Sequence, residues 1–196
     1  MAKRIYVLNG HPAEASLSRH LAETYWTEAA GAGHDVRIAH VNNMHFDMDR
    51  GAAGYSGAKA LEPVLEEALS NLEWCEHFVL TSPMWWGGLP AKLKGLIDRS
   101  LLPGRTFSFD EKTSMGLPKP LLSGRTARVI LTADTPGFFL RLAYGNAIKR
   151  QLRGQILGFV GFKPIAFSYL APASHPKDGK VEQWTKTVRG VATKGV

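Results

Sequence analysis

The segment after the first apolar run carries polar groups that suit an anionic ligand. His11 follows Asn9 and Gly10, and Ser16 and Ser18 stand where a stretch with helical spacing begins. The first N–H groups of a helix have no intrahelical acceptor, and the helix dipole favours negative charge beside them. Two hydroxyls and an imidazole donor would strengthen such a site. The segment is therefore a candidate phosphate site, and the simpler alternative is a serine N-cap with a turn histidine.

Two adjacent tryptophans mark a second segment. Trp85 and Trp86 stand between Pro83 and the pair Gly87 and Gly88. Neighbouring side chains at the end of a strand cannot both point into the core, so at least one indole is expected to line a concave surface. A planar aromatic ligand would use that surface, and glycines let its edge approach backbone N–H groups. The alternative is that both tryptophans fill a helix–sheet junction or a subunit interface.

Other signatures of catalysis or metal binding are missing from the sequence. It contains no Gly-x-Gly-x-x-Gly fingerprint, no P-loop, no Gly-x-Ser-x-Gly elbow and no His-Glu-x-x-His pair. His34, His40 and His45 lack a ligand-bearing helical spacing and are expected at the surface or in turns. The single cysteine, Cys75, cannot form a disulfide within the chain or a thiolate metal site, and we predict that it is buried. No metal centre is expected.

The chain alternates β-branched runs with helical patterns, which predicts parallel βαβ units in an α/β fold. Helices are predicted from Ser16, around residues 61–72, after Pro90, over 138–157 and around 181–191, and residues 103–124 predict a hairpin-like excursion. The predicted strands are residues 4–9, 35–41, 77–81, 128–132 and 164–169. Five such strands form a doubly wound sheet, whose ligands bind beyond the carboxyl ends of the strands. The loops after strands one, three and four should therefore meet.

Bulk properties narrow the class of protein. The 196 residues fit a single domain, residues 1–196, and the net charge is +7. Residues 141–196 hold ten basic and two acidic groups, without an arginine-rich block. A solvated basic face, or attraction of an anionic dinucleotide, is favoured over a nucleic-acid or membrane-surface partner. The apolar run before Asn9 is too short for a signal peptide core or a membrane span, which makes a cytoplasmic location the default expectation.

Three stretches together resemble the flavodoxin-like NAD(P)H dehydrogenase (quinone) family, which includes ancillary flavoproteins of potassium efflux systems. They are residues 7–12 with Ser16 five positions after the histidine, residues 82–99, and residues 122–129. The middle stretch is the most specific. The resemblance implies a flavodoxin-like fold and a flavin site made of His11, Ser16, Leu17 and Ser18 at the phosphate, Pro83, Met84, Trp85, Trp86 and Gly87 beside the ring, and Thr132, Ala133, Asp134 and Thr135 at its other edge.

The loop after the fourth strand departs from the family pattern. Better-known members read Thr-Thr-Gly-Gly, followed by a tyrosine and a histidine thought to stabilise the reduced flavin, whereas this chain reads Thr-Ala-Asp-Thr-Pro-Gly from Thr132 to Gly137. No Tyr/His pair falls at the matching spacing, so we assign no catalytic residue. Tyr144 is a candidate substitute, and backbone N–H groups of this loop could supply the same stabilisation.

The resemblance also implies an activity. We expect a tightly bound flavin, FMN or FAD, that takes hydride from NADPH or NADH and reduces quinones or similar small acceptors by a ping-pong mechanism. An azo or nitro reductase of the same fold is one alternative, and a flavin-bound regulatory subunit with little turnover is another. Electron-carrier flavodoxins are usually acidic, so the net charge of +7 counts against a carrier. The family implies a homodimer. The aromatic and apolar stretch Phe138, Phe139, Leu140, Leu142 and Tyr144 is a candidate interface, and packing in the core is the alternative explanation.

Overall fold

Five parallel strands form the central sheet of the computed structural model, which describes residues 1–55 and 57–196. With strands numbered in chain order, the sheet has the spatial order β2-β1-β3-β6-β7. Its strands are β1 (Arg4–Asn9), β2 (Asp35–His40), β3 (His77–Pro83), β6 (Thr126–Thr132) and β7 (Ile165–Leu170). The order reverses between β1 and β3, which is the switch point where doubly wound sheets bind ligands. The predicted fold class, a flavodoxin-like doubly wound five-stranded parallel sheet with helices on both faces, is confirmed.

Seven helices accompany the sheet in the described residues. They are α1 (Leu17–Gly31), α2 (Pro63–Trp74), α3 (Ala91–Ser100), α4 (Gly137–Leu142), α5 (Ala147–Gln151), α6 (Leu157–Val160) and α7 (Lys180–Ala192). Side chains of β1 alternate between the two faces: Ile5 and Val7 pack in the cluster with α1 and α7, whereas Tyr6 and Leu8 pack on the opposite side. Because both faces are covered, the strands read as continuous apolar runs in the sequence.

The predicted excursion between α3 and β6 is a β-hairpin. Its strands, β4 (Phe107–Lys112) and β5 (Pro118–Pro120), pair antiparallel. Phe107 is buried, and its ring lies 5.1 Å from that of Phe159. The hairpin is therefore attached to the core at its first residue. The breakers in the sequence correctly predicted this departure from a standard crossover.

A buried arginine holds the long connection between β2 and α2. Arg99 on α3 is 1% exposed and donates to Glu62 Oε2 at 2.7 Å and to the carbonyl of Ala60 at 2.8 Å. It also donates to the carbonyl of Asp47. Removing one partner of a buried ion pair typically costs about 3–5 kcal/mol, because the other charge stays uncompensated. This connection is therefore fixed to α3 although it has little regular structure.

Several predicted boundaries differ from the observed ones by one or two residues. Val41 begins a short 3₁₀ turn, Val41–Asn43, where the second strand was predicted to end. β3 extends to Pro83, β6 begins at Thr126, and the last strand of the sheet is Ile165–Leu170. After the 3₁₀ turn, residues 44–55 form no helix or strand, and Ser56 lies outside the described residues.

The helical stretch predicted over 138–157 is helical in the structure but is divided into separate segments. The chain turns at Gly145 and Asn146, which have φ values of +53° and +55°, so α4 and α5 are separate. A wider π turn, Leu152–Ile156, then leads into α6. A Cβ atom at Gly158 would come within 1.9 Å of the Arg153 carbonyl oxygen, so only glycine fits where the turn widens. Hydrophobic spacing cannot reveal such breaks, because the apolar residues continue through them.

Two buried groups at the amino ends of the strands are uncharged. Cys75 is buried as predicted, and burial raises the pKa of its thiol to about 12. His77 is 2% exposed, and its Nδ1 lies 2.6 Å from Thr126 Oγ1. Burial lowers the pKa of His77 to about 3, and the nearby charges of Lys3 and Arg128 act in the same direction. The folded protein therefore keeps His77 neutral.

This neutral histidine should make the protein less stable in acid. In the unfolded chain His77 takes up a proton near its ordinary pKa of about 6.5, whereas in the folded protein it does so only near pH 3. Its contribution is complete above about pH 6.5 and declines as the pH falls towards 3, at up to about 1.4 kcal/mol per pH unit. We expect His77→Gln to flatten this dependence in urea unfolding between about pH 7 and pH 5. The exposed His45→Gln should keep it, and equal slopes for both variants would contradict the assignment.

Candidate functional site

The loops after β1, β3 and β6 meet at the carboxyl edge of the sheet and enclose a cleft of about 240 Å³, called the strand-end cleft below. Its lining includes most of the residues singled out in the sequence: His11, Ser16, Leu17, Ser18, Pro83, Met84, Trp85, Thr132, Ala133 and Asp134. Parallel strands end at the same edge, which brings together segments that lie about 120 residues apart in the chain.

The loop after β1 is held close to the sheet by its backbone. The Gly10 N–H donates to the carbonyl of Thr81 at 2.8 Å, and the His11 N–H donates to Asn9 Oδ1 at 3.1 Å. A Cβ atom on Gly10 would lie 2.5 Å from the side chain of Leu93 on α3. Glycine therefore lets the loop pass between the end of β3 and α3 without displacing the buried Leu93 side chain.

His11 presents a hydrogen-bond donor. Its Nδ1 accepts from the Ala13 N–H at 3.0 Å, so the proton of the neutral ring lies on Nε2. Burial lowers the pKa of His11, which keeps the ring neutral near pH 7. The ring meets Trp85 edge to face, with centroids 5.4 Å apart. His11 thus joins the first loop to the tryptophan loop and leaves one N–H free to donate.

The N-terminus of α1 forms an anion-binding end of the cleft. Ser16 is the N-cap as predicted, with its Oγ accepting from the Arg19 N–H at 3.1 Å. The amides of Leu17 and Ser18 belong to the first helical turn, where no intrahelical acceptor is available, and that turn has no acidic residue. The Ser18 hydroxyl lies 3.2 Å from Thr132 Oγ1 at the end of β6. The donors here are amides and hydroxyls.

The neighbouring cation does not take part in this arrangement. Arg19 Nε donates to Glu23 Oε1 at 2.8 Å, and its Nη1 donates to the carbonyl of Glu14. The residues that line the cleft include no lysine or arginine. An anion bound here would therefore be held by the helix dipole and by neutral hydrogen-bond donors, as the sequence indicated.

The two tryptophans are the first two residues of a tight turn that ends at Gly88. The N–H groups and carbonyls of Trp85 and Gly88 bond to each other at 3.0 and 2.9 Å, and the turn between them has φ +50° at Trp86 and +73° at Gly87. Trp85 lines the strand-end cleft, whereas the side chain of Trp86 is fully exposed. The prediction that at least one of the pair lines a concave surface is correct.

The loop after β6 is tied to the loop after β7. Asp134 Oδ1 accepts from the Ser174 N–H at 2.7 Å, and Oδ2 accepts from the Ser174 hydroxyl at 2.6 Å. The Ala173 N–H donates to the carbonyl of Ala133 at 2.9 Å. Hydrogen bonds from Ser174 hold the pKa of Asp134 below its ordinary value, so its carboxyl is ionised near pH 7.

Sequence reasoning missed three residues that line the cleft, Ala15, Ala173 and Ser174. The last two belong to a fourth loop, which follows β7. The signal for this loop was available, because β7 neighbours β6 in the predicted fold and its carboxyl end must reach the same edge. The small residues that follow β7 did not stand out by type.

A second concavity of about 500 Å³, called the side cavity below, shares Met84 with the strand-end cleft. Its lining includes the other three candidate residues, Trp86, Gly87 and Thr135. The rest of the lining is mostly apolar and consists of Leu140, Tyr144, Ala147 and Ile148. The Tyr169 hydroxyl donates to the Thr135 carbonyl at 2.7 Å and fixes the loop between the two spaces. The candidate residues therefore divide between an anion-binding cleft and an apolar cavity.

Residues 1–55 and 57–196 contain no group of three or more His, Cys, Asp or Glu side chains placed to hold a metal ion. Within the same ranges, no helix has the length and hydropathy needed to span a membrane.

Comparison with known proteins agrees with this geometry. A family described as having a flavodoxin-like fold, Flavodoxin_2, matches residues 3–189. An FMN-dependent NADH:quinone oxidoreductase of Nitratidesulfovibrio vulgaris is 28% identical over 189 residues, covering 88% of this chain and 87% of the relative. One of the same description from Polaromonas naphthalenivorans is 29% identical over 130 residues, covering 65% of this chain and 57% of the relative. This chain therefore spans little more than half of that second relative.

Solved structures share the fold at lower identity. An NAD(P)H:quinone oxidoreductase from Methanothermobacter marburgensis has a TM-score of 0.76 at 19% identity, covering 99% of this chain and 96% of that one. An FMN-dependent NADH-azoreductase from Bacillus anthracis, solved in complex with FMN, has a TM-score of 0.76 at 17% identity, covering 99% of each chain. These likenesses show that the whole described chain follows one shared architecture.

Proposed function

The chain belongs to the flavodoxin-like family Flavodoxin_2, and from that premise we propose that it is a flavin-dependent NAD(P)H oxidoreductase that reduces quinones or similar small acceptors. The observation that carries the proposal is the strand-end cleft, in which the N-terminus of α1 and an aromatic wall at Trp85 face one space. This combination suits a phosphate joined to a planar ring. The names of the curated relatives support the same chemistry.

The residues of the cleft fit FMN in particular. The amides of Leu17 and Ser18, the hydroxyls of Ser16 and Ser18, and Nε2 of His11 supply donors for one terminal phosphate. The donors lie at one end of the cleft and the Trp85 side chain lines the same space, so a single phosphate and a ring can be held together. FMN is also the cofactor named for the relatives. FAD would have to extend its adenylate beyond the phosphate loop.

We assign the donor as NADH and the site of reaction as the cytoplasm, where nicotinamide reductants are available. NADH is the donor in the names of the relatives. The excess of basic groups in residues 141–196 would also accommodate the additional phosphate of NADPH. The test of donor preference is therefore a direct comparison of the two nucleotides.

A bound flavin supplies hydride chemistry, taking two electrons and a proton from a nicotinamide and returning them to an acceptor. The chain supplies position and environment. His11 and the first turn of α1 anchor the phosphate, and Trp85 provides a flat wall. The side cavity, lined by Leu140, Ala147 and Ile148, offers apolar contact to a planar acceptor. Tyr144 also lines this cavity and would take the place of the tyrosine found in better-known members of the family.

Quinones and azo compounds are both planar and apolar enough for the side cavity, so an azo or nitro reductase is the nearest alternative. A flavin-bound regulatory subunit would share the cleft but would show little turnover. Steady-state rates with several acceptors distinguish these three functions.

The central prediction is that the protein binds one flavin and cycles it. Reconstitution with FMN should give a yellow protein, retained on gel filtration, that bleaches when NADH is added anaerobically and recovers its colour on addition of a quinone. Parallel samples receive FAD, NADPH, or an azo dye in place of the quinone. Absence of bound flavin after both reconstitutions would contradict the proposal, and bleaching without turnover would favour the regulatory alternative.

The proposed phosphate site makes a separate prediction for His11. His11→Phe keeps an aromatic edge against Trp85 but removes the Nε2 donor. A hydrogen bond to a charged group typically contributes about 1.5–3 kcal/mol, so FMN binding should weaken by roughly tenfold or more. Riboflavin lacks the phosphate and serves as the control ligand in the same fluorescence titration. Equal losses for FMN and riboflavin would show that the substitution disturbs the ring site instead.

We also propose that the protein is a homodimer joined through the surface beside the side cavity. Phe138 and Leu142 on α4 are 67% and 74% exposed, and Tyr144 and Trp86 are exposed next to them. Isolated monomers seldom expose so continuous an apolar patch. Of the five residues predicted at the interface, Leu140 alone is buried and belongs to the core. A second copy would cover the open side of the cavity.

Sedimentation velocity tests the proposed interface. The double variant Phe138→Gln/Leu142→Gln should shift the protein from dimer to monomer at micromolar concentration, because it removes the two most exposed apolar side chains of α4. Trp26→Gln, on the distant face of α1, is the matched control and should remain dimeric. A monomeric wild type, or a double variant that stays dimeric, would contradict the proposed surface.

A further inference from the structure

A carboxylate is fixed in the wall of the strand-end cleft. Asp134 stands two residues after the end of β6, and both of its oxygens accept hydrogen bonds from Ser174, at 2.7 and 2.6 Å. The parallel bond from the Ala173 N–H to the Ala133 carbonyl holds the backbones of the two loops together. The side chain therefore has little freedom to turn away from the cleft or to follow a ligand.

This carboxylate has no close cationic partner. Among residues 1–55 and 57–196, no lysine, arginine or histidine nitrogen lies within ion-pair distance of Asp134. His175 is near enough to favour the ionised form, but the hydrogen bonds from Ser174 contribute more. The cleft thus carries one fixed negative charge. This charge lies in the loop after β6, where the sequence departs from the pattern of better-known family members.

We propose that Asp134 sets the redox balance of the bound flavin by disfavouring its reduced form. This inference rests on the proposed function. When hydride leaves C4 of a nicotinamide, a C–H bond breaks, an N–H bond forms on the flavin, and two electrons with one proton are transferred. The net charge of the flavin falls by one, and the nicotinamide gains one positive charge. A fixed carboxylate in the same cleft opposes the added negative charge.

The consequence is a more strongly reducing flavin. Asp134 weakens the binding of reduced flavin relative to oxidised flavin, so the electrons are passed on more readily to an acceptor. For a partly exposed charge across a cleft of this size, an effect of about threefold to tenfold on the ratio of the two dissociation constants is expected. A tenfold change in that ratio corresponds to about 30 mV for a two-electron couple.

The test is the midpoint potential of the FMN-reconstituted protein, measured anaerobically by equilibration with a reference dye. Asp134→Asn keeps the size and the acceptor for the Ser174 N–H but removes the charge. We expect its reduced FMN to bind about threefold to tenfold more tightly relative to oxidised FMN, which moves the potential to more positive values. The difference from wild type should shrink at high salt, because an exposed charge is screened.

Asp178→Asn is the matched control. Asp178 lies in the connection between β7 and α7, which also carries Ser174, but it does not line the cleft, and its substitution changes the net charge by the same amount. Its potential should equal that of wild type. Ser174→Ala keeps the carboxylate but removes one of its hydrogen bonds, and the potential should stay closer to wild type than that of Asp134→Asn. Asp134→Ser repeats the loss of charge if the asparagine variant fails to fold or to bind flavin.

The outcomes separate this inference from the proposed function. Variants without the charge that bind FMN but keep the wild-type potential would overturn the role of Asp134 and leave the reductase proposal intact. An equal shift in Asp178→Asn would overturn it as well, since net charge alone would then explain the change. A wild-type protein that retains no flavin would overturn both.

Discussion

Burial of both faces of the parallel sheet is the constraint on which the arrangement of this protein depends. With α1 and α7 on one face and the remaining helices on the other, polar groups and solvent have access to the sheet only at its two edges and at its strand ends. At the carboxyl edge the chain leaves β1 and β3 towards opposite faces, which opens a space between their loops. Gly10 makes this geometry possible by passing within contact distance of Thr81 and Leu93.

The sequence was informative where local rules decide the outcome. Five apolar runs separated by helical periods predicted every strand of the sheet, and the glycine and proline breakers predicted the hairpin. The helical stretch predicted over 138–157 is interrupted by the turn at Gly145 and Asn146 and by the π turn at Leu152–Ile156, and neither break changes the apolar spacing. Apolar spacing indicates which residues are buried. It does not indicate where a helical turn contains one additional residue.

The site shows the same division between local and long-range information. His11, Ser18, Trp85 and Thr132 lie together because the strands that precede them are neighbours, which the predicted topology already required. Ser174 was missed because its importance comes from a hydrogen bond to a residue 40 positions earlier. A serine in a loop has no distinctive type or spacing, so only the fold identifies it as a wall of the cleft.

The turn that begins at Trp85 and Trp86 directs the two indoles to two different spaces, the strand-end cleft and the side cavity. A non-glycine residue in the left-handed region is uncommon, and at Trp86 the paired bonds between Trp85 and Gly88 maintain it. As a result, Trp85 lines the strand-end cleft, which also contains the hydroxyls and amides of the α1 N-terminus. Trp86 lines the mostly apolar side cavity. Met84 is common to both linings, so a ring bound in one space would be adjacent to an apolar ligand in the other.

The lining of the cleft contains no lysine or arginine. Its neutral hydrogen-bond donors and its single carboxylate therefore determine the electrostatic potential inside it. A phosphate held by dipoles and hydroxyls keeps most of its negative charge, because no cation neutralises it. Asp134 adds a second negative charge, and the basic groups of residues 141–196 do not line this space. A cleft of this composition tolerates a neutral ring better than an anionic one. The electrostatic preference therefore follows from which residues line the cleft, although the chain as a whole carries a net charge of +7.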